Sequence, residues 1–193
     1  MSKGLLIVLS GPSGVGKGTV LKEVMKDESL KLAFSISMTT RAKREGEEDG
    51  VNYFFVTRDE FEQAVRDGKM LEYAEFVGNY YGTPLEYVEK LRNEGMNVIL
   101  EIEVQGCMQV REKEPDALTI FIVPPSMEEL ESRIRGRKTE AEEIIQQRLA
   151  KAESEMEMLN KYKYVVCNDD VKLAADIISV IIRRHMEKAQ GKD

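Results

Sequence analysis

The sequence predicts a three-layer α/β fold with a five-stranded parallel sheet. Five short runs are apolar throughout instead of alternating, which is typical of strands covered on both faces. Stretches with helical spacing of apolar residues lie between the runs, and this alternation favours a parallel sheet between two helical layers. The predicted strands cover residues 5–9, 34–37, 98–102, 118–123 and 164–167.

Start and stop signals place the helices between these strands. Thr83 is predicted to cap one helix, with Pro84 in its first position, Glu86 as the reciprocal capping partner and Gly95 as its stop. The same capping pattern begins at Ser126. Further helices are predicted over residues 17–26, from Thr57, over residues 140–159 and over residues 174–186.

Residues 39–83 interrupt this alternation with a polar, Gly-rich and aromatic stretch. Within it, residues 71–77 alternate with period two, the mark of a half-buried antiparallel strand. We therefore expect a small α+β insertion that stands outside the parallel sheet. Residues 1–38 and 84–193 would form the core, and a chain of 193 residues fits one domain.

Composition excludes several classes of function. The 28 Lys and Arg against 35 Asp and Glu give a formal charge of −7, which argues against a general nucleic-acid binder. With one His, His185 on a predicted surface helix, and two lone Cys, a His/Cys zinc site, Ser-His-Asp catalysis and a disulfide framework are disfavoured. Residues 5–9 are too short for a signal-peptide core, and no stretch approaches the length of a membrane span. We expect a cytoplasmic protein with neither a nucleic-acid nor a membrane partner.

A phosphate-binding loop is predicted directly after the first strand. The segment has the spacing G-x-x-x-x-G-K and opens the first helix, so its backbone N–H groups and Lys17 can face phosphates. Gly18 stands where the general pattern has Ser or Thr for Mg²⁺, so we expect Mg²⁺ to be held mainly by phosphates and water. The loop predicted to bind a nucleoside triphosphate consists of Gly11, Pro12, Ser13, Gly14, Val15, Gly16, Lys17, Gly18 and Thr19.

A second group of cations follows the second predicted strand. Arg41, Lys43 and Arg44 lie where ligands of open α/β sheets bind. A basic surface turn is the simpler interpretation of such a cluster. We favour a phosphate clamp, because the hydroxyls of Tyr53, Tyr80 and Tyr81 can also donate to phosphate.

The insertion and the strand ends also hold groups that could recognise a purine. Guanine presents N–H donors beside an acceptor oxygen, so its site needs a carboxylate near hydroxyl or amide donors. Glu72 and Glu101 are candidate carboxylates, and Ser37 and Thr83 are candidate hydroxyls. Glu72 could instead be a solvated strand position and Thr83 only a helix cap. Spacing alone does not select guanine over other bases.

Several segments, in order along the chain, resemble the guanylate kinase family. The resemblance covers about residues 4–184, and the segments at 39–41 and 79–82 are specific to that family. The matching parts are residues 11–19, 37–47, 53–55, 78–83, 101–106 and 124–126, Arg133, residues 136–137, Arg148 and residues 168–170. Many family members have Asp where this chain has Glu101 and Glu103. The negative charge is the same, but the longer Glu side chain places the carboxylate farther from the backbone.

The resemblance implies Mg²⁺-dependent phosphoryl transfer from ATP to GMP or dGMP, giving ADP and GDP. The residues that it implies for the guanine are Ser37, Glu72, Thr83 and Glu101. Those implied for the GMP phosphate are Arg41, Arg44, Tyr53 and Tyr81. Those implied for the transferring group are Lys17, Arg133, Arg137 and Arg148, the last three from a mobile helical lid of about residues 133–150. Asn168 would lie beside the adenine.

The implied chemistry needs no histidine, because a phosphate monoester has a second pKa of about 6 and is already ionised at neutral pH. Besides a P-loop ATP binder of unknown role, two alternatives remain open. One is a nucleoside monophosphate kinase of other base specificity. The other is a guanylate-kinase-like module that binds peptides, although such modules tend to lose the phosphate loop that is intact here. Both a monomer and a homo-oligomer are compatible with the sequence.

Overall fold

A computed structural model describes residues 3–76, 78–136 and 141–191. Its strands, in chain order, are β1 (Leu6–Ser10), β2 (Leu32–Phe34), β3 (Met38–Thr39), β4 (Phe54–Phe55), β5 (Met70–Phe76), β6 (Asn79–Pro84), β7 (Asn97–Glu101), β8 (Leu118–Val123) and β9 (Tyr164–Cys167). Its helices are α1 (Lys17–Val24), α2 (Arg58–Arg66), α3 (Leu85–Asn93), α4 (Val104–Lys113), α5 (Met127–Arg135), α6 (Glu142–Met156) and α7 (Val171–Ala189). Short 3-10 helices cover Glu28–Leu30 and Leu159–Lys161.

The main sheet has five strands in the order β2-β7-β1-β8-β9, and each neighbouring pair is parallel. Its central strand β1 is buried on both sides. Ile7 and Leu9 face a cluster that includes residues of α1 and α7, whereas Leu6 and Val8 face a cluster that includes residues of α3 and α4. Because both faces are covered, the run is apolar throughout. The predicted three-layer α/β fold is confirmed.

A second sheet with the order β4-β3-β6-β5 stands beside the first. Its β5 and β6 strands form an antiparallel hairpin, as the period-two pattern predicted for residues 71–77, of which the structure describes all but residue 77. Helix α2 begins after a full capping box between Thr57 and Glu60. The buried ring of Phe61 in α2 stacks on Tyr80 of β6, with ring centroids 5.3 Å apart.

Two details of the sequence prediction are wrong. The second strand of the main sheet covers Leu32–Phe34, not 34–37, because the chain leaves this sheet after Phe34 and Met38–Thr39 pairs with β6 in the other sheet. His185 is half-buried and not solvated, since its ring packs edge-on against Tyr164 and its Nε2 lies 3.0 Å from the tyrosine hydroxyl.

Two predicted helix caps also differ. Helix α3 begins at Leu85 without a side-chain cap, because Thr83 belongs to β6 and its hydroxyl donates to Glu72 instead. Ser126 does cap α5 by accepting from the Glu129 N–H at 3.1 Å. The Glu129 carboxylate, however, accepts from Arg133 at 2.9 Å.

The carboxyl ends of the parallel strands all lie at one edge of the main sheet, and the loops that follow them meet there. The loop after β1, the residues after β7 and the segment after β9 therefore come together, although they are about 65 to 160 residues apart along the chain. No described helix is both long and apolar enough to cross a membrane.

At the opposite edge, Asn97 joins three segments of the core. Its side chain is buried, accepts from the Leu5 N–H at 2.8 Å and donates to the Leu30 carbonyl at 2.7 Å. We expect Asn97→Ala to lower the free energy of unfolding by about 2–5 kcal/mol, because it leaves two backbone groups unpaired. Urea denaturation measures this change. Asn93→Ala, at an exposed position, is the control and should change stability by less than about 0.5 kcal/mol. Similar small losses in both variants would contradict the prediction.

Candidate active site

The loop between β1 and α1 has the backbone of an anion-binding loop. Gly14 and Gly16 have φ of 91° and 93°, in the left-handed region that favours glycine. Between them, the Val15 side chain is fully buried in the core cluster that includes α1 and α7. Since α1 begins at Lys17, the loop ends at a helix N-terminus, where unpaired N–H groups attract anions.

Three side chains from distant parts of the chain hold this loop. Asn168 Nδ2 donates to the Val15 carbonyl at 2.7 Å, and Arg133 donates to the Asn168 carbonyl at 3.1 Å. Arg148 Nη2 donates to the Ser13 hydroxyl at 2.7 Å. Asn168 is 3% exposed, and its Oδ1 has no hydrogen-bond partner among the described residues. Asn168 thus supports the loop backbone, a contact that the sequence did not reveal.

Lys17 lies folded against the loop. Its Nζ donates to the Gly11 carbonyl at 2.6 Å and to the Pro12 carbonyl at 3.2 Å. Burial lowers the pKa of Lys17, while the negative charges of Glu101 and Glu155 oppose this shift. The ammonium group is therefore largely desolvated, with carboxylates nearby that favour its charged form.

Gly18 faces the carboxylate of Glu101. A Cβ at Gly18 would lie 3.9 Å from Glu101 Oε1 and 4.0 Å from Oε2. A Ser or Thr side chain at this position would fill the space between the helix and the carboxylate. Among the described residues, no group of three or more His, Cys, Asp or Glu could hold a metal ion.

Two adjoining clefts open at this edge. The first cleft, of about 420 Å³, borders the phosphate loop and includes Lys17. The second cleft, of about 270 Å³, borders the second sheet and includes Glu72. The residues that line both clefts are Ser37, Tyr53, Glu101, Ile102 and Glu103. Ligands in the two clefts would meet along this shared wall.

Glu72 is the buried acid of the second cleft. It is 6% exposed, and its Oε1 accepts from the Thr83 hydroxyl at 2.6 Å. Burial raises the pKa of Glu72, and the hydrogen bond from Thr83 opposes that shift. A Cβ at Gly106 would lie 2.6 Å from Glu72 Oε2, so the carboxylate needs glycine beside it. Sequence reasoning missed Gly106, although a glycine inside a helix is unfavourable and could have signalled a close approach.

Arg41 is already oriented by acidic and aromatic neighbours. Its guanidinium donates to both Glu47 oxygens, at 3.0 and 2.7 Å, and lies 5.4 Å from the centroid of the Tyr53 ring. The paired arginine lowers the pKa of Glu47, which also accepts from the Arg44 N–H at 2.8 Å. Glu47 therefore organises the basic turn, a role for which the sequence offered only its position beside the arginines.

A charged group from α6 also enters the first cleft. Lys151 donates to Glu103 at 2.8 Å and lies 4.0 Å from Glu155, which is buried. Burial raises the pKa of Glu155. Sequence reasoning missed Lys151 and Glu155, although both share a helix face with Arg148 at spacings of three and four residues, a signal that could have found them.

Most of the predicted site residues come together. Those that line the second cleft are Ser37, Tyr53, Glu72, Tyr81 and Glu101. Thr83 is connected to this group because its hydroxyl donates a hydrogen bond to Glu72. Arg44 is exposed. Arg137 and part of the predicted lid, residues 137–140, lie outside the described residues.

Comparisons with known proteins agree with this geometry. A family model described as guanylate kinase matches residues 3–185. The guanylate kinase of Bacillus cereus is 58% identical over 180 residues, which cover 93% of this chain and 88% of the relative. That of Streptococcus pneumoniae is 54% identical over 180 residues, covering 93% and 86%. The crystal structure of guanylate kinase from Anaplasma phagocytophilum superposes with a TM-score of 0.73 at 37% identity, over 95% of this chain and 87% of that one. The chain therefore belongs to the guanylate kinase family of enzymes.

Proposed function

We propose that the protein transfers the γ-phosphoryl group of ATP to GMP or dGMP, giving ADP and GDP in purine nucleotide metabolism in the cytoplasm. The observation that carries this proposal is the wall shared by the two clefts. A triphosphate on the phosphate loop and a monophosphate near Tyr53 would be brought together there, as a transfer between them requires.

On the ATP side, the loop and Lys17 would hold the β- and γ-phosphates. Arg148 already contacts Ser13 at the tip of the loop, and Arg133 contacts the segment that follows β9. Both guanidinium groups could therefore turn to the phosphates with small side-chain movements. Asn168, whose buried Oδ1 has no hydrogen-bond partner among the described residues, is the residue that we place beside the adenine.

On the GMP side, Glu72 would accept hydrogen bonds from the base. Guanine presents two adjacent N–H donors, which a carboxylate can accept together, whereas adenine has no such pair. Thr83 orients the carboxylate, and Ser37 adds a hydroxyl at the shared wall. Arg41, Arg44, Tyr53 and Tyr81 would hold the phosphate, with Arg41 oriented in advance by Glu47.

The reaction would depend on charge neutralisation and alignment. With a second pKa of about 6, the acceptor phosphate of GMP is already a competent nucleophile at neutral pH, so no base has to remove a proton. The difficulty is that two polyanions must approach each other in line. Lys17 and the arginines would stabilise the charge on the transferring group, more strongly when water is excluded.

The residues around Gly18 fit a hydrated Mg²⁺ that enters with ATP. Because position 18 has no hydroxyl, the ion would be held by phosphates and by water, and the Glu101 carboxylate borders the open space beside Gly18. Bound there, Mg²⁺ would neutralise charge on the phosphates. Glu101 also lines the second cleft, where guanine would bind. A contact between Glu101 and guanine therefore fits this position and stays a prediction.

We further propose that residues 39–83 act as the GMP-binding part and about residues 133–150 as a lid on a core of residues 1–38 and 84–193. The second sheet, which spans Met38 to Pro84, supports the first assignment. For the lid, Arg135 of α5 donates to both carboxylate oxygens of Glu142 in α6, at 2.5 and 2.7 Å. This pair joins the two helices, so they could move as one unit when the site closes.

A panel of acceptors tests the function. With ATP as donor, we expect GMP and dGMP to be phosphorylated and AMP, CMP and UMP to react at least about a hundredfold more slowly in kcat/KM, because a site built for hydrogen bonds rejects bases that leave them unmade. A coupled assay for ADP measures the rates. Preference for another base would overturn the guanine assignment. Peptide binding without any ATP turnover would favour an interaction module.

Lys17→Met should lower kcat by about a thousandfold, because a charge directed at the transferring group is lost. The dissociation constant for GMP, measured by calorimetry, should change by less than about threefold, since Lys17 lies at the phosphate loop. Lys22→Met, at an exposed position of the same helix, is the matched control and should retain full activity. Equal losses of turnover and GMP binding would show that Lys17 has only a structural role.

Glu72→Gln should raise the KM for GMP by about tenfold to a hundredfold while leaving the KM for ATP nearly unchanged. The substitution removes the charge and turns one acceptor into a donor that faces the N–H groups of guanine. Steady-state kinetics with each substrate varied in turn measures the effect. Glu86→Gln, exposed on α3, is the control.

The pH profile gives a second measurement for Glu72. GMP would bind the ionised carboxylate, so affinity should fall as pH decreases through its pKa. Because burial raises that pKa, the loss should begin at a higher pH than for an exposed carboxyl group. In the Gln variant this part of the profile should disappear, and only the titration of GMP itself should remain. An unchanged profile would contradict the assignment.

A further inference from the structure

Strand β5, which carries Glu72, lies at the edge of the second sheet. It pairs with β6 on one side, and an edge strand has backbone N–H and C=O groups that point away from its neighbour. The pairing also changes register between Met70 and Glu72. Such a change interrupts the regular ladder and bends the strand locally. The ladder with β6 is therefore irregular directly before the carboxylate that we assign to guanine.

The side chain of Gln109 in α4 pairs with the free edge of β5 as a neighbouring strand would. Its Oε1 accepts from the Tyr73 N–H at 3.1 Å, and its Nε2 donates to the Tyr73 carbonyl at 2.8 Å. Because Tyr73 directly follows Glu72, one amide satisfies both backbone groups of the residue next to the carboxylate. The two bonds also determine the orientation of the amide, since the N–H needs an acceptor and the carbonyl needs a donor.

Two further contacts join the same side of α4 to β5. Lys113 Nζ donates to the Met70 carbonyl at 2.8 Å. Gly106 leaves space for Glu72, whose Oε2 would lie 2.6 Å from a Cβ at position 106. Positions 106, 109 and 113 are three and four residues apart, so they share one side of the helix. Helix α4 thus contacts β5 before, at and after Glu72.

Helix α4 is itself anchored in the core. Val104, Cys107 and Val110 are buried in the cluster that contains Leu6 and Val8 of β1, the strand that leads into the phosphate loop. A backbone position of β5 that α4 holds is therefore held relative to the phosphate loop. The position of the base relative to the triphosphate affects the rate, because a small misplacement of one reactant slows a transfer between two.

We propose that Gln109 is a positioning residue that holds Glu72 where guanine binds. The proposal rests on the assignment of Glu72 to guanine under the proposed function. Gln109 lines neither of the two clefts described above, so it acts through β5 and not on the substrate. Thr83 orients the carboxylate from the side of β6, and Gln109 holds the backbone from the side of α4.

The first test compares the kinetic constants of two variants of α4. Gln109→Met removes both bonds to Tyr73 and keeps an unbranched side chain that favours a helix. We expect the KM for GMP to rise about fivefold to twentyfold, while kcat and the KM for ATP change by less than about twofold, because a contact made equally in the ground state and the transition state is weakened. Glu112→Met, at an exposed position of the same helix, is the matched control and should keep all three constants. An unchanged KM for GMP, or an equal rise in both KM values, would overturn the proposal.

Hydrogen exchange provides a measurement that does not depend on activity. In Gln109→Met, the Tyr73 amide should exchange at least about tenfold faster than in the wild type, because its acceptor is lost. Unchanged exchange of the β1 amides would show that the variant is folded. NMR spectroscopy measures these rates residue by residue. Equal exchange of the Tyr73 amide in both proteins would show that Gln109 does not hold this strand in solution, which contradicts the proposal.

A double-mutant cycle then tests whether Gln109 acts through Glu72. In the Glu72→Gln background, Gln109→Met should raise the KM for GMP by less than about twofold, since the contact that it positions is already weakened. Effects that multiply would show two independent roles and overturn the positioning role. If Glu72→Gln alone leaves the KM for GMP unchanged, the guanine assignment fails and the role of Gln109 fails with it. If Glu72→Gln raises that KM and Gln109→Met does not, only the role of Gln109 is overturned.

Discussion

The carbonyl group of Val15 is the acceptor on which the phosphate loop depends. The Val15 side chain is buried in the core, and the Val15 carbonyl oxygen accepts a hydrogen bond from the side-chain amide of Asn168, which directly follows strand β9. Because both the side chain and the carbonyl group of Val15 are held, Gly14 and Gly16 on either side of it stay in left-handed conformations. Contacts within the protein therefore hold the loop in a shape that suits an anion, and ordering by such contacts reduces the entropy cost of binding.

The positively charged side chains of the site are also held in position by contacts within the protein. The chain is acidic overall, with a formal charge of −7, yet its site cations are held in place by partners within reach. Arg41 is paired with Glu47, Lys151 with Glu103, and Lys17 with two carbonyl groups. A cation that is already oriented and partly desolvated needs little rearrangement to stabilise charge on a phosphoryl group. Local arrangement, and not net charge, makes this protein suitable for polyanions.

Parallel strands explain why distant segments can share one site. Strand β1 places the loop, β7 places Glu101 and Glu103, and β9 places Asn168 at the same edge of the sheet. The second sheet adds Glu72 from the opposite side, and glycine at position 106 lets the carboxylate approach α4.

The sequence by itself determined the fold class, the five parallel strands and the glycine-rich loop after β1, because apolar runs, helical periodicity and glycine spacing are local patterns. The functional roles of the site residues followed from the family resemblance and stay predictions. The sequence did not determine where β2 ends, that Thr83 donates to Glu72 instead of capping a helix, or that Asn168 holds Val15. Nor did it show that Glu47 organises Arg41, or that Lys151 and Glu155 enter the cleft. These features depend on which side chains meet across the fold. A hydroxyl or a carboxylate has several possible partners in the sequence, and only packing in three dimensions selects one.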